Sequence, residues 1–156
     1  MKIEIKWGLI FSFVTLLWLT FGYLFGFQTK YPTMHVVFSM LFALPAIVMM
    51  YLGIAEKRRA LGGKISFRQA FLTGLGISIV VALLTPLVQF IFHKFINPGF
   101  FEKMIEVAIA GGQSLQQAQA TFNFKMYAFG GAIFGLIIGA ITSLILAAIS
   151  RSKEVQ

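Results

Sequence analysis

Four stretches of this chain contain no Asp, Glu, Lys or Arg: Trp7–Phe27, Val36–Ile54, Ala70–Phe92 and Tyr127–Ile149. Each is about 20 residues long, the length an α-helix needs to cross ~30 Å of hydrocarbon. A backbone in lipid must bond its amides internally, and a lone segment does so only as a helix. A water-exposed helix of this length would need a polar outer face, and these segments have none. The expected fold is all-α: an integral membrane four-helix bundle, one transmembrane domain spanning residues 1–156.

Composition agrees. The chain is 58% apolar and only 12% charged, with a mean hydropathy of +0.86; soluble domains carry about one quarter charged residues. The formal charge of +8 invites a nucleic-acid reading. It fails because the basic residues lie in short loops rather than along one amphipathic face. With no cysteine, disulfides, thiolate metal ligands, thiol nucleophiles and cysteine-linked lipid anchors are excluded. Lys2 and Lys6 ahead of an apolar run resemble a signal peptide. The run is too long and too aromatic for one, so it reads as a retained first helix.

Orientation follows from Lys and Arg near the membrane. Lys2, Lys6, Lys57, Arg58, Arg59, Lys64, Arg68, Arg151 and Lys153 fall on one side; Lys30, Lys94, Lys103 and Lys125 fall on the other. The first side is expected to be cytoplasmic, with both termini on it. The cluster Lys57, Arg58, Arg59, Lys64 and Arg68 sets this topology and offers charge to anionic lipid head groups.

The loops carry start and stop signals. Gly62-Gly63 ends an extended second helix. Ser66 caps the third helix, with Gln69 as its capping-box partner. The outer loop, residues 93–126, is the only long one. Within it Asn97-Pro98 reads as an N-cap followed by proline at the first helical position, and Gly111-Gly112 as a stop. Between them Phe100, Phe101, Met104, Ile105, Ala108 and Ile109 recur at helical spacing opposite Glu102, Lys103 and Glu106. This predicts a short amphipathic helix that lies on the outer leaflet, caps the bundle or docks a partner. A second short turn is expected over Ser114–Phe122.

Every span carries a stripe of small residues. They include Gly8, Ser12, Gly22 and Gly26 in the first span, Ser39, Ala43, Ala46 and Gly53 in the second, and Gly74 and Ser78 in the third. In lipid, helices associate through close van der Waals contact, which small residues allow. The fourth span differs in its strict spacing of four, Gly131, Gly135 and Gly139. That pattern serves either packing inside the monomer or contact with a second copy.

Pro45 and Pro86 fall inside the second and third spans, where proline removes a ladder bond and kinks the helix. Thr85 and Gln89 lie one turn apart beside Pro86, forming a small polar patch. Broken helices expose backbone at transporter sites; the alternative is a kink satisfied locally by hydroxyl groups.

No catalytic constellation is present. Asp is absent, and Glu4, Glu56, Glu102, Glu106 and Glu154 all fall outside the four spans. No His–Ser pair, HExxH or phosphate loop exists. His35 and His93 are expected at the outer ends of spans two and three, near Glu102 or Glu106. They lack the close ligand spacing of a zinc site, so neither a metal nor another cofactor is expected.

The segment Gly63-Lys64-Ile65-Ser66-Phe67-Arg68-Gln69-Ala70-Phe71-Leu72-Thr73-Gly74 resembles a recurring feature of the family known as domain of unknown function 4199. So do Trp7-Gly8-Leu9-Ile10, Asn97-Pro98 and Ser143-Leu144-Ile145. The resemblance covers essentially the whole chain. It implies a small four-helix protein of a bacterial inner membrane, mainly in the Bacteroidetes, and supplies no activity or site residues.

The functional expectation is a non-enzymatic multi-pass membrane protein acting as an interaction or accessory component. Its partners would be the bilayer and another copy or another membrane protein. The alternative is a small transporter or channel, oligomeric in form, with Pro45, Pro86, Thr85 and Gln89 near its pathway.

Overall fold

The computed structural model describes residues 2–153; Glu154, expected outside the bilayer, lies beyond them. Among the described residues the chain is helical, without strands. The helices are α1 (Ile3–Leu24), α2 (Met34–Leu41), α3 (Ala43–Ala60), α4 (Phe67–Ile91), α5 (Phe100–Ala110), α6 (Leu115–Thr121) and α7 (Gly131–Ser150). Five-residue π-helical segments, Phe92–Ile96 and Met126–Gly130, extend α4 and precede α7. Together these make four helices long and apolar enough to cross a membrane: Ile3–Leu24, Met34–Ala60, Phe67–Ile96 and Met126–Ser150.

Burial is inverted relative to a water-soluble bundle. The interior holds Gly8, Ser12, Gly53, Thr73, Gly74, Ser78, Gly139 and Ser143. The exterior carries large apolar groups such as Phe13 at 62% exposure, Met40 at 70% and Leu83 at 76%. In water this surface would be far larger than any apolar patch a monomer tolerates; in lipid it is the solvated face. A compact apolar core of Met50, Ile54, Ile65, Ala70, Leu146 and Ala147 lies at the end that bears both termini.

α4 is the central helix and packs on α1, α3 and α7. Its seam with α7 is built from reciprocal small residues. A methyl group added to Gly74 would stand 2.9 Å from Ser143 Cβ, and one added to Gly139 would stand 2.8 Å from Ser78 Cβ. On the other side Gly8 faces Val80, and Gly53 lies between Ile77 and Trp7.

The helices differ from the sequence reading at the end of α1, within the second span and at the start of α5. α1 closes before Phe27 because Gly26 takes φ +78°, and its carbonyl then accepts from the amides of Lys30 and Tyr31. Gly26 therefore serves a turn rather than a helix seam. The second span is split at Phe42 and runs on to Ala60. Pro45 has no amide for Leu41, so the ladder breaks there. At the far end, the Gly62-Gly63 stop holds with φ of +80° and +91°. Arg58 Nε donates to the Gly63 carbonyl at 2.7 Å. Finally, α5 begins at Phe100 with Gly99 as its cap. Asn97 is not that cap, because its side chain is committed elsewhere. By contrast, both Ser66–Gln69 and Ser114–Gln117 form complete capping boxes.

At the end bearing the termini, α1 and α3 are joined crosswise by charge. Lys6 Nζ donates to Glu56 at 2.8 Å and Lys57 Nζ to Glu4 at 3.1 Å. Trp7 Nε1 also donates to Glu56 at 2.8 Å. The Ser152 amide donates to the Ile65 carbonyl at 2.9 Å, tying the C-terminal segment to the α3–α4 loop.

Candidate functional site at the end opposite the termini

Away from the termini, α2 and the two π-helical segments meet α5. α5 is amphipathic, and its apolar face buries Phe100 and Met104. Phe100 is 2% exposed and anchors an aromatic cluster. Its ring lies 5.4 Å from His35, 4.8 Å from His93 and 5.3 Å from Tyr127. Phe101 lies against His93 at 4.3 Å with the rings tilted by 32°. The two π-helical segments contribute His93 and Tyr127. Such segments widen a helix locally and re-aim its side chains, and they are frequent at functional sites.

The polar atoms here are few and buried. Asn97 Nδ2 donates to Gln28 Oε1 at 3.0 Å, and Gln28 Nε2 donates to the Leu19 carbonyl at 3.3 Å. This pair pins the α1–α2 turn to the α4–α5 turn. Gln28 is only 1% exposed, yet it reads from sequence as an ordinary loop residue. His93 Nε2 lies 2.9 Å from Gln89 Oε1. The Nδ1 atoms of both His35 and His93 are buried without a partner among the described residues.

Beside the cluster is a cavity of about 920 Å³, lined by α2, α5 and the start of the fourth span. Thr33, His35, Ser39, Gln113 and Tyr127 bring polar groups to it; Val36, Met104, Val107 and Phe134 are apolar. A second cavity of about 240 Å³ lies between α3, α4 and α7, lined by residues such as Phe11, Met50, Ile77 and Ile138. Ala43 and Phe134 line both.

The residues singled out from sequence are distributed as follows. Gly74, Ser78 and Gly139 lie in the α4–α7 seam, and Gly22 lies against Phe38 and Gln28. Gly131 has only Thr85 Cγ2 near it, at 3.9 Å, and nothing lies within 4 Å of a methyl group added to Gly135. Instead Gly135 lines the smaller cavity. Thr85 does not join Gln89 but donates to the Val81 carbonyl at 2.8 Å. That is one residue short of Ala82, the carbonyl Pro86 leaves unbonded. Among the basic residues, Lys57 is paired with Glu4, while Arg59 and Arg68 are exposed. Among the described residues no group of three or more His, Cys, Asp or Glu could hold a metal ion.

A sequence profile matches residues 6–152, nearly the whole chain. The chain belongs to the family described as "Protein of unknown function (DUF4199)". Neither the curated proteins nor the solved structures contain a match to it.

Proposed function

We propose that this chain is a non-enzymatic multi-pass protein of a bacterial inner membrane, with both termini cytoplasmic, that acts as an interaction or accessory component. The state of the two histidines carries the non-enzymatic reading. His93 is bonded to Gln89, which cannot relay a proton, and neither Nδ1 has a carboxylate partner among the described residues. A general base needs an orienting group and a nucleophile within reach. The orientation is supported by Lys57, Arg58, Arg59, Lys64 and Arg68, which cluster at the end that bears the termini. It places α5 and α6 on the outer side, where Glu102, Glu106 and Gln116 are exposed to a partner.

The transporter reading draws on the break at Phe42 and the cavity beside it. Against it, the α4–α7 seam is closed by direct Gly–Ser contact. The Thr73, Ser78, Thr85 and Ser143 hydroxyls donate to carbonyls of their own helices. Mild extraction of the tagged native protein, followed by native mass spectrometry, tests the proposal. A stoichiometric second protein supports it. A bare homo-oligomer with Gln89-dependent solute flux overturns it.

A further inference from the structure

We infer that the docking of α5 is acid-sensitive: α5 sits against the spans while His35 and His93 are neutral, and protonation of the two releases it, exposing the face that carries Phe100 and Met104. This goes beyond the accessory reading and does not depend on it. The first support is placement. The two imidazoles come from different spans and meet one α5 ring: His35 lies 5.4 Å from Phe100, edge-on, and His93 lies 4.8 Å from it. Phe100 is buried, and so is the Nδ1 atom of each histidine.

The second is chemistry. A neutral imidazole donates from one nitrogen, whereas an imidazolium donates from both. Gln89 Oε1, 2.9 Å from His93 Nε2, can accept one such bond. Neither Nδ1 atom has a partner among the described residues, and a buried charged donor without an acceptor is costly. The two imidazoles also repel each other once charged. Aromatic faces attract cations, but here two cations would share one ring, and neither would gain an acceptor.

The third is the surroundings. On α5, Glu102 and Glu106 are exposed, and Glu106 pairs with Lys103. Lys94, beside His93 in sequence, is exposed with its amine over Phe90; Lys30 and Lys125 are exposed as well. Tyr127, 5.8 Å from His93, is a neutral phenol well below its ordinary value of about 10. The ion pairs of the described residues thus leave both imidazoles without a carboxylate. α5 itself can swing. Gly99 precedes it and Gly112 follows it, and nothing lies within 4 Å of a methyl group added to either. Phe100, Phe101 and Met104 hold α5 by packing, while its Lys103–Glu106 hydrogen bond is internal.

Above about pH 6.5, the ordinary histidine value, both imidazoles are neutral whether α5 is docked or released, so docking is unopposed. As pH falls below it, solvated histidines in the released form take up protons that the docked form has no acceptors for, and release gains. Between about pH 7.5 and about pH 5.5 each histidine raises the released-to-docked ratio about tenfold, and the pair about hundredfold. Histidine pairs that charge in this range are a known way to flip an interface.

The test uses the full chain in phosphatidylcholine nanodiscs, whose head groups do not titrate in this range. Met104→Cys places a thiol on the buried face of α5, and Ala110→Cys places one at an exposed position of the same helix. The ratio of their maleimide reaction rates cancels the pH dependence of the thiol and reads the opening of α5. It should rise about hundredfold from about pH 7.5 to about pH 5.5, only about tenfold with either His35→Phe or His93→Phe, and hardly at all with both. Hydrogen exchange of the α5 amides in the unsubstituted chain, corrected for intrinsic rates, keeps the test decisive if a variant folds poorly. An isolated helix of this length is marginal, so protection should fall with pH in the same way. A flat rate ratio together with unchanged α5 protection would overturn the proposal. So would tighter docking in acid, or a rise that persists without both histidines.

Discussion

Ser78 of α4 lies against Gly139 of α7, and one turn away Gly74 of α4 lies against Ser143 of α7. The helices run antiparallel, so each Gly-x-x-x-Ser unit faces the reverse of the other. Each serine also donates to the carbonyl of its own unit's glycine, at 2.9 Å in α4 and 2.7 Å in α7. The hydroxyls are thus satisfied without a partner across the seam, and the backbones can approach closely. In lipid that approach is the main source of helix attraction.

Gly139→Leu and Gly135→Leu should therefore separate sharply, although both glycines belong to one repeat. At Gly139 the added side chain meets Ser78, and overpacking of this kind costs ~1–3 kcal/mol. At Gly135 there is nothing within 4 Å, so thermal stability in detergent should hardly change. Equal destabilisation of the two variants would refute the seam as described.

The reciprocal contact also predicts a rescue. Gly74→Ala places a methyl group 2.9 Å from Ser143 Cβ and should lower the melting temperature. Ser143→Gly in the same chain removes the obstructing side chain and should restore most of the loss. A double-mutant cycle in thermal unfolding measures this coupling; simple additivity would show that the two residues do not meet.

Asn97→Leu leaves the buried Gln28 oxygen without its donor. An unsatisfied buried group of this kind costs ~1–3 kcal/mol. Gln28→Leu combined with Asn97→Leu should cost less than the sum of the two single changes. The cycle reads directly whether this pair holds the α1–α2 and α4–α5 turns together.

Ser66→Ala removes the side chain that accepts from the Gln69 amide at the start of α4. Loss of such a cap costs about 1 kcal/mol. Ser66→Asp should retain most of the stability, because aspartate accepts the same bond. Urea or thermal titrations of the three proteins in one detergent give the comparison.

The parts of this fold legible in the sequence rest on local rules. Charge-free runs locate the spans, because lipid excludes ionised side chains regardless of the rest of the chain. The Ser66 capping box is a four-residue pattern and forms as read, and the short turn expected from Ser114 forms as α6, opened by the same kind of box. Asn97 misleads because it also looks like a local cap, yet its partner Gln28 is 69 residues away. The Gly131, Gly135 and Gly139 repeat shows spacing but not direction: which glycine meets a neighbour depends on how α7 is rotated against α4. The crosswise pairs of Lys6 with Glu56 and Lys57 with Glu4 likewise need the register of α1 on α3. The cavities arise where helices leave space between them, and no single-helix pattern records that.

Membrane topology is the claim on which the rest stands, and the absence of native cysteine makes it directly measurable. Ala60→Cys and Ala110→Cys each place one thiol at an exposed position, at opposite ends of the bundle. A membrane-impermeant maleimide applied to spheroplasts should label the Ala110→Cys protein at once and the Ala60→Cys protein only after lysis. Labelling of Ala60→Cys in intact spheroplasts, with Ala110→Cys protected until lysis, would contradict the proposed orientation. Prompt labelling of both would contradict the four-span membrane fold itself.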